Sequence, residues 1–429
     1  MTYKFLLPRS YEPSAFLTTP RLGMRADEAR WFITTIIRKM VYRDVDVRGY
    51  ARLHWDVLRR VMSKGTLAEI IKAHVAGGMV ETSPYRAGKR SRGYRLTHHY
   101  LSDRHVRVPA TDPRVIERLE REHDRLAQRQ RGLRKPIHDA LDAAQRGLTI
   151  TPMADQILAT LPPGTRLCQD VLVGNIRRRT FRFYVSSTGR CFNALTGLKR
   201  ELRTAVLLDG EPLGSIDLSC AQPALLALYI WLLIPSSGPN SRDTYKECLL
   251  RSCSWLPRLC CDEAVEPAVF KTFLWFRDLV CSGSFYDELA RLCGLGRDEA
   301  KHRFLVDVLA KDGSYPSEVE DVFSATFPGV YRVVREVNRS DHANLIRLLQ
   351  RLESWLVIET VAPHLVESVP IVTVHDCIFC RVYDLPLVEQ ACRETFMEIG
   401  FSLALKRETW HGPSYTGAIQ LVDSLLLSV

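Results

Sequence analysis

The stretch GSIDLSCAQPALLALYI (residues 214–230) decides the fold of this chain. Its first four residues predict a short strand that ends at Asp217, and a helix is predicted to begin near Pro223. That helix contains the apolar run 225–234, which is too short to span a membrane and therefore predicts a helix buried in a protein core. An acid is thus expected at the junction of two apolar elements.

A second stretch, PIVTVHDCIFCRVYD (residues 370–384), predicts two short apolar strands around a turn that contains Asp376. An aspartate flanked by apolar strand residues loses hydration, and a cation or a hydrogen bond has to compensate. Two such acids brought together would form an oxygen site suited to Mg²⁺, which favours few carboxylates plus substrate phosphates. Each aspartate taken alone is equally consistent with an ordinary turn or cap residue.

The positive charge of the chain is concentrated near its start. The chain has 429 residues, enough for two or three cores, and a formal net charge of +10. Residues 1–100 contain 19 of the 59 Lys and Arg but only 8 of the 49 Asp and Glu. This excess predicts phosphate contact by the N-terminal part, with a solvated basic face as the alternative.

Targeting signals and cysteines favour a cytoplasmic protein without a membrane segment. No run of 18 apolar residues occurs, and the start MTYKFLLPRS lacks the long apolar region of a secretory signal. The twelve cysteines include no CxxC…CxxC pair, which predicts reduced thiols. A zinc site is the less favoured alternative, and it would use Cys248, Cys253, Cys260 and Cys261.

Residues 41–107 are predicted to form a winged helix. A helix is expected over residues 50–62, and a second over residues 66–78, with Thr66 as its N-cap, Glu69 completing a capping box and two glycines ending it. Two short strands then flank a basic loop whose tip is suited to backbone phosphates. The tip residues are Arg86, Lys89, Arg90 and Arg92. DNA binding is the favoured interpretation, although winged helices also contact proteins.

The rest of the chain divides by composition. Residues 113–146 are highly charged and helical in pattern, with a break at Pro136, so residues 108–147 are predicted to connect two domains. The basic N-terminal region is 1–107, and the core is 148–429. No internal repeat or low-complexity tract interrupts the core.

Several segments of the core, in order, resemble the motifs of family-A DNA polymerases and of the related phage-type single-subunit RNA polymerases. DLSCAQ from Asp217 resembles motif A, RDEAKHRF (residues 297–304) motif B, and IVTVHDCIFC motif C with Asp376. The resemblance covers about residues 187–385. It implies an α+β right-hand polymerase fold after the N-terminal winged helix-turn-helix. An antiparallel palm sheet would occupy about 187–233 and 331–429, helical fingers about 234–330, and a helical thumb would complete the core.

The resemblance also implies catalytic roles. Asp217 and Asp376 would hold two Mg²⁺ ions, with Mn²⁺ as a possible substitute. Arg297 and Lys301 are four residues apart on one helix face, where they could grip the triphosphate, with Lys301 protonating the departing pyrophosphate. Phe304 is predicted among the substrate contacts.

Further residues would select the sugar or position nucleic acid. Gln222 stands where DNA polymerases have a Glu that excludes a 2′-hydroxyl and RNA enzymes have Gly, which favours deoxynucleotides. The residues that would position primer or template are Arg190, Arg203, Gln350 and His375. The chain departs from the family at Leu305 and Leu309, where aromatic residues are usual. It also departs at Cys377, where DNA polymerases have Glu and RNA polymerases Ser.

The favoured hypothesis is therefore a compact DNA-directed DNA polymerase without a proofreading exonuclease, used in replication of a plasmid, phage or mobile element, or in defence. Its partners would be primer–template DNA, nucleoside triphosphates and a duplex bound by the winged helix. One alternative is a primase or small single-subunit RNA polymerase. Another is a DNA-binding replication initiator whose palm is inactive.

Overall fold

The computed structural model describes residues 3–42, 44–46, 48–85, 91–233 and 267–410. Arg86, Lys89 and Arg90 of the predicted wing lie outside these residues, as do the four cysteines of the zinc alternative. The chain forms two compact units. Unit 1 comprises Met1–Gly132, Thr149–Phe181 and Ala194–Ala205, and unit 2 comprises Leu133–Leu148, Arg182–Asn193 and Val206–Val429. Residues 149–181 and 194–205 thus pack within unit 1, although composition grouped them with the core; the functional division stays a prediction.

The secondary structure mixes short strands with many helices. The strands are β1 Lys4–Pro8, β2 Ala51–Arg52, β3 Val80–Ser83, β4 Gly93–Leu96, β5 His105–Pro109, β6 Leu148–Ile150, β7 Tyr184–Val185, β8 Cys191–Phe192, β9 Val206–Leu208, β10 Glu211–Leu218, β11 Val372–Val374, β12 Cys377–Arg381 and β13 Leu405–Trp410. The α-helices are α1 Pro20–Gly23, α2 Ala26–Val41, α3 Trp55–Leu58, α4 Leu67–Ala76, α5 His98–Ser102, α6 Pro113–Arg131, α7 Pro136–Ala144, α8 Met153–Thr160, α9 Pro163–Arg177, α10 Arg200–Arg203, α11 Ala221–Leu233, α12 Pro267–Cys281, α13 Phe285–Cys293, α14 Arg297–Arg303, α15 Glu318–Thr326, α16 Pro328–Val337, α17 Asn344–Ser354 and α18 Leu385–Ile399. Among the described residues, no helix is both long and apolar enough to cross a membrane.

Unit 1 contains a three-stranded antiparallel sheet in the order β2-β4-β3 and a two-stranded sheet of β1 and β5. The predicted strands on either side of the basic loop are confirmed, because Val80 pairs with Leu96 and Ser83 with Gly93. The helix predicted from Thr66 is confirmed as α4, which ends before Gly77, but the Thr66 hydroxyl makes no capping hydrogen bond.

The helix predicted over residues 50–62 is wrong. Ala51 pairs with Tyr94 in the sheet, and only Trp55–Leu58 is α-helical. The apolar spacing was correct for burial, since Ala51, Leu58 and Met62 are all buried. Pairing with β4 nevertheless makes the start of this segment a strand. The helical preference indicated by the apolar spacing is weak, and tertiary contacts outweigh it.

The two helices predicted on either side of Pro136 are confirmed as α6 and α7. Pro136 is the first residue of α7, where its fixed φ suits the helix and no backbone N–H is required. The N-cap of α6 is Asp112, whose side chain accepts a hydrogen bond from the backbone N–H of Arg114. A break between helices and a cap are local features, so the sequence could show both.

The main sheet of unit 2 is built around β10. Residues 213–217 of β10 pair antiparallel with β12 along one edge and with β13 along the other, and β11 pairs with β12. The β9–β10 hairpin turns at Asp209 and Gly210, which both have positive φ, the requirement of a type I′ turn. The unit is therefore a mixed helix and sheet structure with an antiparallel sheet. Its assignment to palm, fingers and thumb stays a prediction.

Helices pack against this sheet through an apolar core. The predicted buried helix is confirmed as α11, in which Leu225, Leu226 and Leu228 are at most 1% exposed. An aromatic cluster joins α12 to the helices that follow, and its members are Phe276, Phe285, Phe304, Phe323 and Phe327. Two segments continue α-helices with π-helical geometry. They are Phe304–Leu309 after α14 and Trp355–Val361 after α17.

Candidate active site

The two predicted acids lie side by side in unit 2. Asp217 is the penultimate residue of β10, and its Cα pairs with that of Cys377, the first residue of β12. Asp376 directly precedes Cys377, so antiparallel pairing brings both carboxylates to the same end of the sheet. The tip of a hairpin and the end of its neighbouring strand are thus held together by backbone hydrogen bonds.

A tight hairpin presents Asp376. Val374 pairs with Cys377, so the loop has only two residues, and the first of them, His375, has φ +57°. Glycine is usual at such a position, and a left-handed non-glycine residue costs about 1–3 kcal/mol, which the surroundings must offset. One anchor is Asn193, whose Nδ2 donates to the carbonyl oxygen of Thr373 over 2.6 Å. The Phe192 ring packs edge-on against the His375 ring, with centroids 5.8 Å apart.

A second turn ends β10 after Asp217. Cys220 has φ +51°, and its carbonyl oxygen accepts a hydrogen bond from the backbone N–H of Ala224 in the first turns of α11. The Cys220 thiol donates to the carbonyl oxygen of Gly283 over 3.2 Å, which ties this junction to the loop before α13. The strand, the acid and the buried helix therefore meet at one fixed corner.

The electrostatics of the acid pair are unfavourable without a cation. Desolvation, and then the nearby Asp376 and Glu408, raise the pKa of Asp217. Desolvation, and then the charge of Glu353, raise the pKa of Asp376. Like charges at a partly buried site destabilise the ionised forms, so this site favours either a shared proton or a bound cation.

Glu353 is a third acid close to the pair. Its side chain is 1% exposed, and Arg190 Nε and Nη2 donate to its two carboxylate oxygens over 2.8 and 2.6 Å. Desolvation raises the pKa of Glu353, and Asp217 adds to this, although Arg190 opposes both. Arg190, predicted to contact nucleic acid, is therefore already held by a buried carboxylate.

Arg297 and Lys301 share the face of α14 that the sequence predicted. The Arg297 guanidinium lies 6.0 Å and the Lys301 ammonium 5.8 Å from the centroid of the same ring, that of Tyr286. Arg297 Nε also forms a 2.9 Å ion pair with Asp287. Lys301 lowers the pKa of Asp376, which places its charge near the acid pair.

Gln222 and Gln350 occupy helices that border the site. Gln222 is the second residue of α11, and its buried Oε1 accepts no hydrogen bond from the described residues. An unsatisfied buried carbonyl oxygen costs about 1–3 kcal/mol. Gln350 lies on α17 three residues before Glu353, so the two project from neighbouring positions on one helix face.

Phe304, Arg203 and Arg92 complete the predicted residues that the structure describes. Phe304 is fully buried among Phe285, Tyr286 and Phe323, so its ring has no free face for a nucleotide, and this corrects its prediction as a substrate contact. Arg203 is the last residue of α10, in unit 1. Arg92, also in unit 1, is exposed immediately before β4.

Sequence reasoning missed Glu353, Tyr286 and Glu408. Glu353 follows the buried Leu349 by four residues and Leu352 by one, so it interrupts the apolar face of α17. An acid on an apolar face is a signal that could have been used. Tyr286 and Glu408 had no comparable local mark, because only tertiary packing places them near the aspartates.

The donor set suits a hard divalent cation. Among the described residues, no group of three or more His, Cys, Asp or Glu side chains has the arrangement of metal ligands. An ion at Asp217 and Asp376 would therefore take its remaining oxygens from water and substrate, which is the usual behaviour of Mg²⁺. The raised pKa values of both acids fit this, since the added positive charge would offset their repulsion.

Comparisons with known proteins add little to the geometry. No protein-family model matches the chain, and no curated protein matches it. Among solved structures, the chain is similar to the POL domain of Pol1 from M. smegmatis in complex with DNA primer-template and dNTP, at 15% identity and a TM-score of 0.30. The match covers 67% of this chain and 66% of that one. Such a TM-score does not establish a shared fold, so the function has to be argued from this chain itself.

Proposed function

We propose that unit 2 is a template-directed DNA polymerase that transfers dNMP from dNTP to a 3′-hydroxyl with two divalent metal ions. The observation that supports this is the strand register that pairs Asp217 with Cys377, beside Asp376. Two carboxylates at the end of one sheet, both with raised pKa values, form a site that a shared proton or bound cations would stabilise. Metal-assisted phosphoryl transfer is the reaction class that uses such a pair.

Asp217 and Asp376 would hold the ions. When bound, divalent ions lower the pKa of an attacking hydroxyl and neutralise the charge of a leaving pyrophosphate. Lys301 would bind the triphosphate and donate a proton to the pyrophosphate, and its exposure and its charge near Asp376 support this role. Arg297 would add a second positive charge on the same helix face, although its ion pair with Asp287 must loosen for direct contact.

Gln222 is proposed to contact the sugar of the incoming nucleotide. Its unsatisfied Oε1 offers an acceptor that a ligand hydroxyl could fill, and the bulk of the side chain disfavours a 2′-hydroxyl. Gln222→Gly should therefore relax the preference for dNTP over NTP by roughly one order of magnitude, in line with the loss of one steric or hydrogen-bond contact. Single-nucleotide insertion kinetics with matched dNTP and NTP pairs would measure this. An unchanged preference would count against the sugar contact.

Arg190, Arg203, Gln350 and His375 are proposed to position primer and template. For the N-terminal region, the β2-β4-β3 sheet with α3 and α4 before its hairpin supports a winged helix that binds duplex DNA. This module would direct synthesis to a particular plasmid, phage or mobile-element DNA, or to a target in defence. Arg92, which is exposed at the base of the loop, would contact phosphates.

The test is primer extension by the purified full chain with Mg²⁺, over all dNTPs and all NTPs, with and without template. The proposal predicts templated dNMP incorporation that disappears in EDTA and in Asp376→Asn. Incorporation of NMP alone would instead support a primase or RNA polymerase. Duplex binding without any incorporation would support an initiator with an inactive palm. Extension that survives Asp376→Asn would contradict the assignment of the site.

A further inference from the structure

One buried acid of unit 2 has no role in the proposed reaction. Glu353 lies on α17 with 1% of its side chain exposed, and a carboxylate is rarely kept at such depth unless something requires its charge. Both of its oxygens accept from Arg190, whose side chain is 16% exposed. The ion pair joins two parts of unit 2 that are 163 residues apart in sequence.

The residue that the strand register pairs with Asp217 is not an acid. Cys377 opposes Asp217 across β10 and β12, and a thiol there brings no charge to the site. Glu353 is tied to the hairpin of Asp376 through its partner Arg190, because Arg190 stands two residues before Phe192, whose ring packs against His375, and three before Asn193, whose Nδ2 donates to the carbonyl oxygen of Thr373. The charge of Glu353 accordingly raises the pKa of Asp376. The three carboxyl groups therefore share one electrostatic environment.

We propose that Glu353 is a third carboxylate that serves the cation site as a positioning residue and binds no ion itself. Its buried fixed charge, oriented by Arg190, strengthens cation binding at Asp217 and Asp376. This rests on the proposed two-metal site. Arg190 limits the effect, because it donates to both oxygens of Glu353 and its positive charge also acts on Asp376. Affinity is then set by the balance of the two buried charges.

Close packing around Arg190 shows how its orientation is fixed. The preceding Gly189 has φ +84°, and a Cβ there would lie 2.9 Å from Arg351 Nη1 and 3.1 Å from Ser354 Cβ. The Gly189–Arg190 turn is therefore seated directly on α17, one residue from Glu353. Any side chain at residue 189 would push the turn away from α17 and separate Arg190 from Glu353.

Unit 2 contains a matched control. Arg351 pairs with Glu359 at comparable burial, 13% and 16% exposed, on the same run of helix, and Lys135 adds a second partner. Hydrogen bonds from Arg351 and Lys135 outweigh desolvation and lower the pKa of Glu359, and neither aspartate is among its causes. Removing the Glu359 charge therefore breaks an ion pair on the same run of helix without removing a charge that acts on Asp217 or Asp376.

The experiment measures Mn²⁺ binding to the full chain by electron paramagnetic resonance, with no nucleotide or DNA present. Glu353→Gln should weaken Mn²⁺ binding by roughly tenfold, the effect of one charge acting through a partly solvated interior. Arg190→Gln should strengthen it by a similar factor. The double variant should return to within about twofold of wild type, and Glu359→Gln should match wild type.

Opposite signs are the discriminating result, because a purely structural ion pair would weaken binding in both single variants. Equal signs, or a Glu359→Gln effect as large as that of Glu353→Gln, would overturn the inference. Thermal melting of each variant checks folding. If Glu353→Gln does not fold, the Arg190→Gln variant and the conservative Glu353→Asp, which should retain most of the affinity, decide the question. Asp376→Asn could abolish Mn²⁺ binding while Glu353→Gln and Arg190→Gln fail to change it in opposite directions. That result would reject this inference and leave the proposed function intact.

Discussion

Two acids of unit 1 and the two aspartates of the candidate site in unit 2 are buried in opposite ways. In unit 1, Asp27 is 3% exposed, and its oxygens accept from the backbone N–H groups of Thr111 and Asp112 and from Arg30. Desolvation raises the pKa of Asp27, but these hydrogen bonds outweigh it and hold the pKa below its usual range. In unit 2, the pKa values of Asp217 and Asp376 are both raised.

Glu28, the neighbour of Asp27, is also buried and paired by the protein. Glu28 is 0% exposed, and it accepts from the backbone N–H and hydroxyl of Ser63 and from the guanidinium groups of Arg25 and Arg118. Both acids occupy the first turn of α2, where the helix dipole also favours negative charge. The contrast teaches that the protein itself pairs Asp27 and Glu28, whereas under the proposed function bound cations would pair Asp217 and Asp376.

The largest expected difference between the two kinds of acid is in activity. Asp376→Asn should lower primer extension by at least about three orders of magnitude, because the lost metal stabilisation is several kcal/mol and each 1.36 kcal/mol is tenfold. Asp27→Asn should leave turnover near wild type at temperatures where it remains folded. Single-turnover extension at saturating dNTP would measure both. Comparable losses in the two variants would remove the functional side of the contrast.

The free energy of unfolding should change most in the variant of unit 1, which has the smaller effect on activity. Asp27→Asn removes the charge that pairs with Arg30 and replaces one carboxylate acceptor with an amide N–H donor, and it should lower the free energy of unfolding of unit 1 by about 3 kcal/mol. Asp217→Asn should be neutral or stabilising without metal, since it removes like-charge repulsion. Scanning calorimetry in EDTA would compare the two. A strongly destabilised Asp217→Asn protein would mean that Asp217 is a structural acid.

Metal should stabilise one unit selectively. At a Mg²⁺ concentration about 100 times its dissociation constant, ligand binding adds about 2.7 kcal/mol to the stability of the folded state. The wild-type transition assigned to unit 2 should shift upward with Mg²⁺ and return with EDTA. A double variant, Asp217→Asn with Asp376→Asn, should not shift. An equal shift in the double variant would place the cation elsewhere.

The smallest effect is the pH dependence of stability, which should have opposite signs in the two units. The lowered pKa of Asp27 contributes stability that is present above the unfolded carboxyl pKa of 3.8 and lost as pH falls through the folded value. The raised pKa values of Asp217 and Asp376 do the reverse: without metal, stability rises as pH falls from neutral towards 3.8. Comparing wild type with Asp27→Asn and with Asp376→Asn across this window isolates each contribution. Parallel pH profiles would contradict the contrast.

Local patterns were sufficient to predict part of this structure. The β11–β12 hairpin, the strand ending after Asp217 and the buried helix α11 each follow from side-chain periodicity and a turn within about twenty residues. The shared face of Arg297 and Lys301 follows from helical geometry alone. These elements contain the predicted metal and triphosphate residues, and for this reason the core of the candidate site could be proposed before any coordinates.

Features that depend on distant parts of the chain were not predicted. Arg190 has its partner on α17, 163 residues away, so its spacing could not reveal the ion pair with Glu353. Phe304 was predicted to contact the substrate, but aromatic residues of α13 and α15 bury it. The start of the segment 50–62 became a strand only because β4 offers it a pairing edge. In each case a contact between residues that are far apart in the sequence outweighed the local pattern.

The two π-helical segments affect how this chain can be aligned with others. A π-helical turn closes i→i+5 hydrogen bonds and so holds one residue more than an α-helical turn. Phe304–Leu309 begins directly after α14, and Trp355–Val361 directly after α17. Residues beyond each segment are therefore rotated relative to an ungapped α-helical comparison, and Leu305 and Leu309 need not be the counterparts of aromatic residues at the same spacing. A one-residue insertion after residue 303 and another after residue 354 are the natural positions for gaps in an evolutionary alignment.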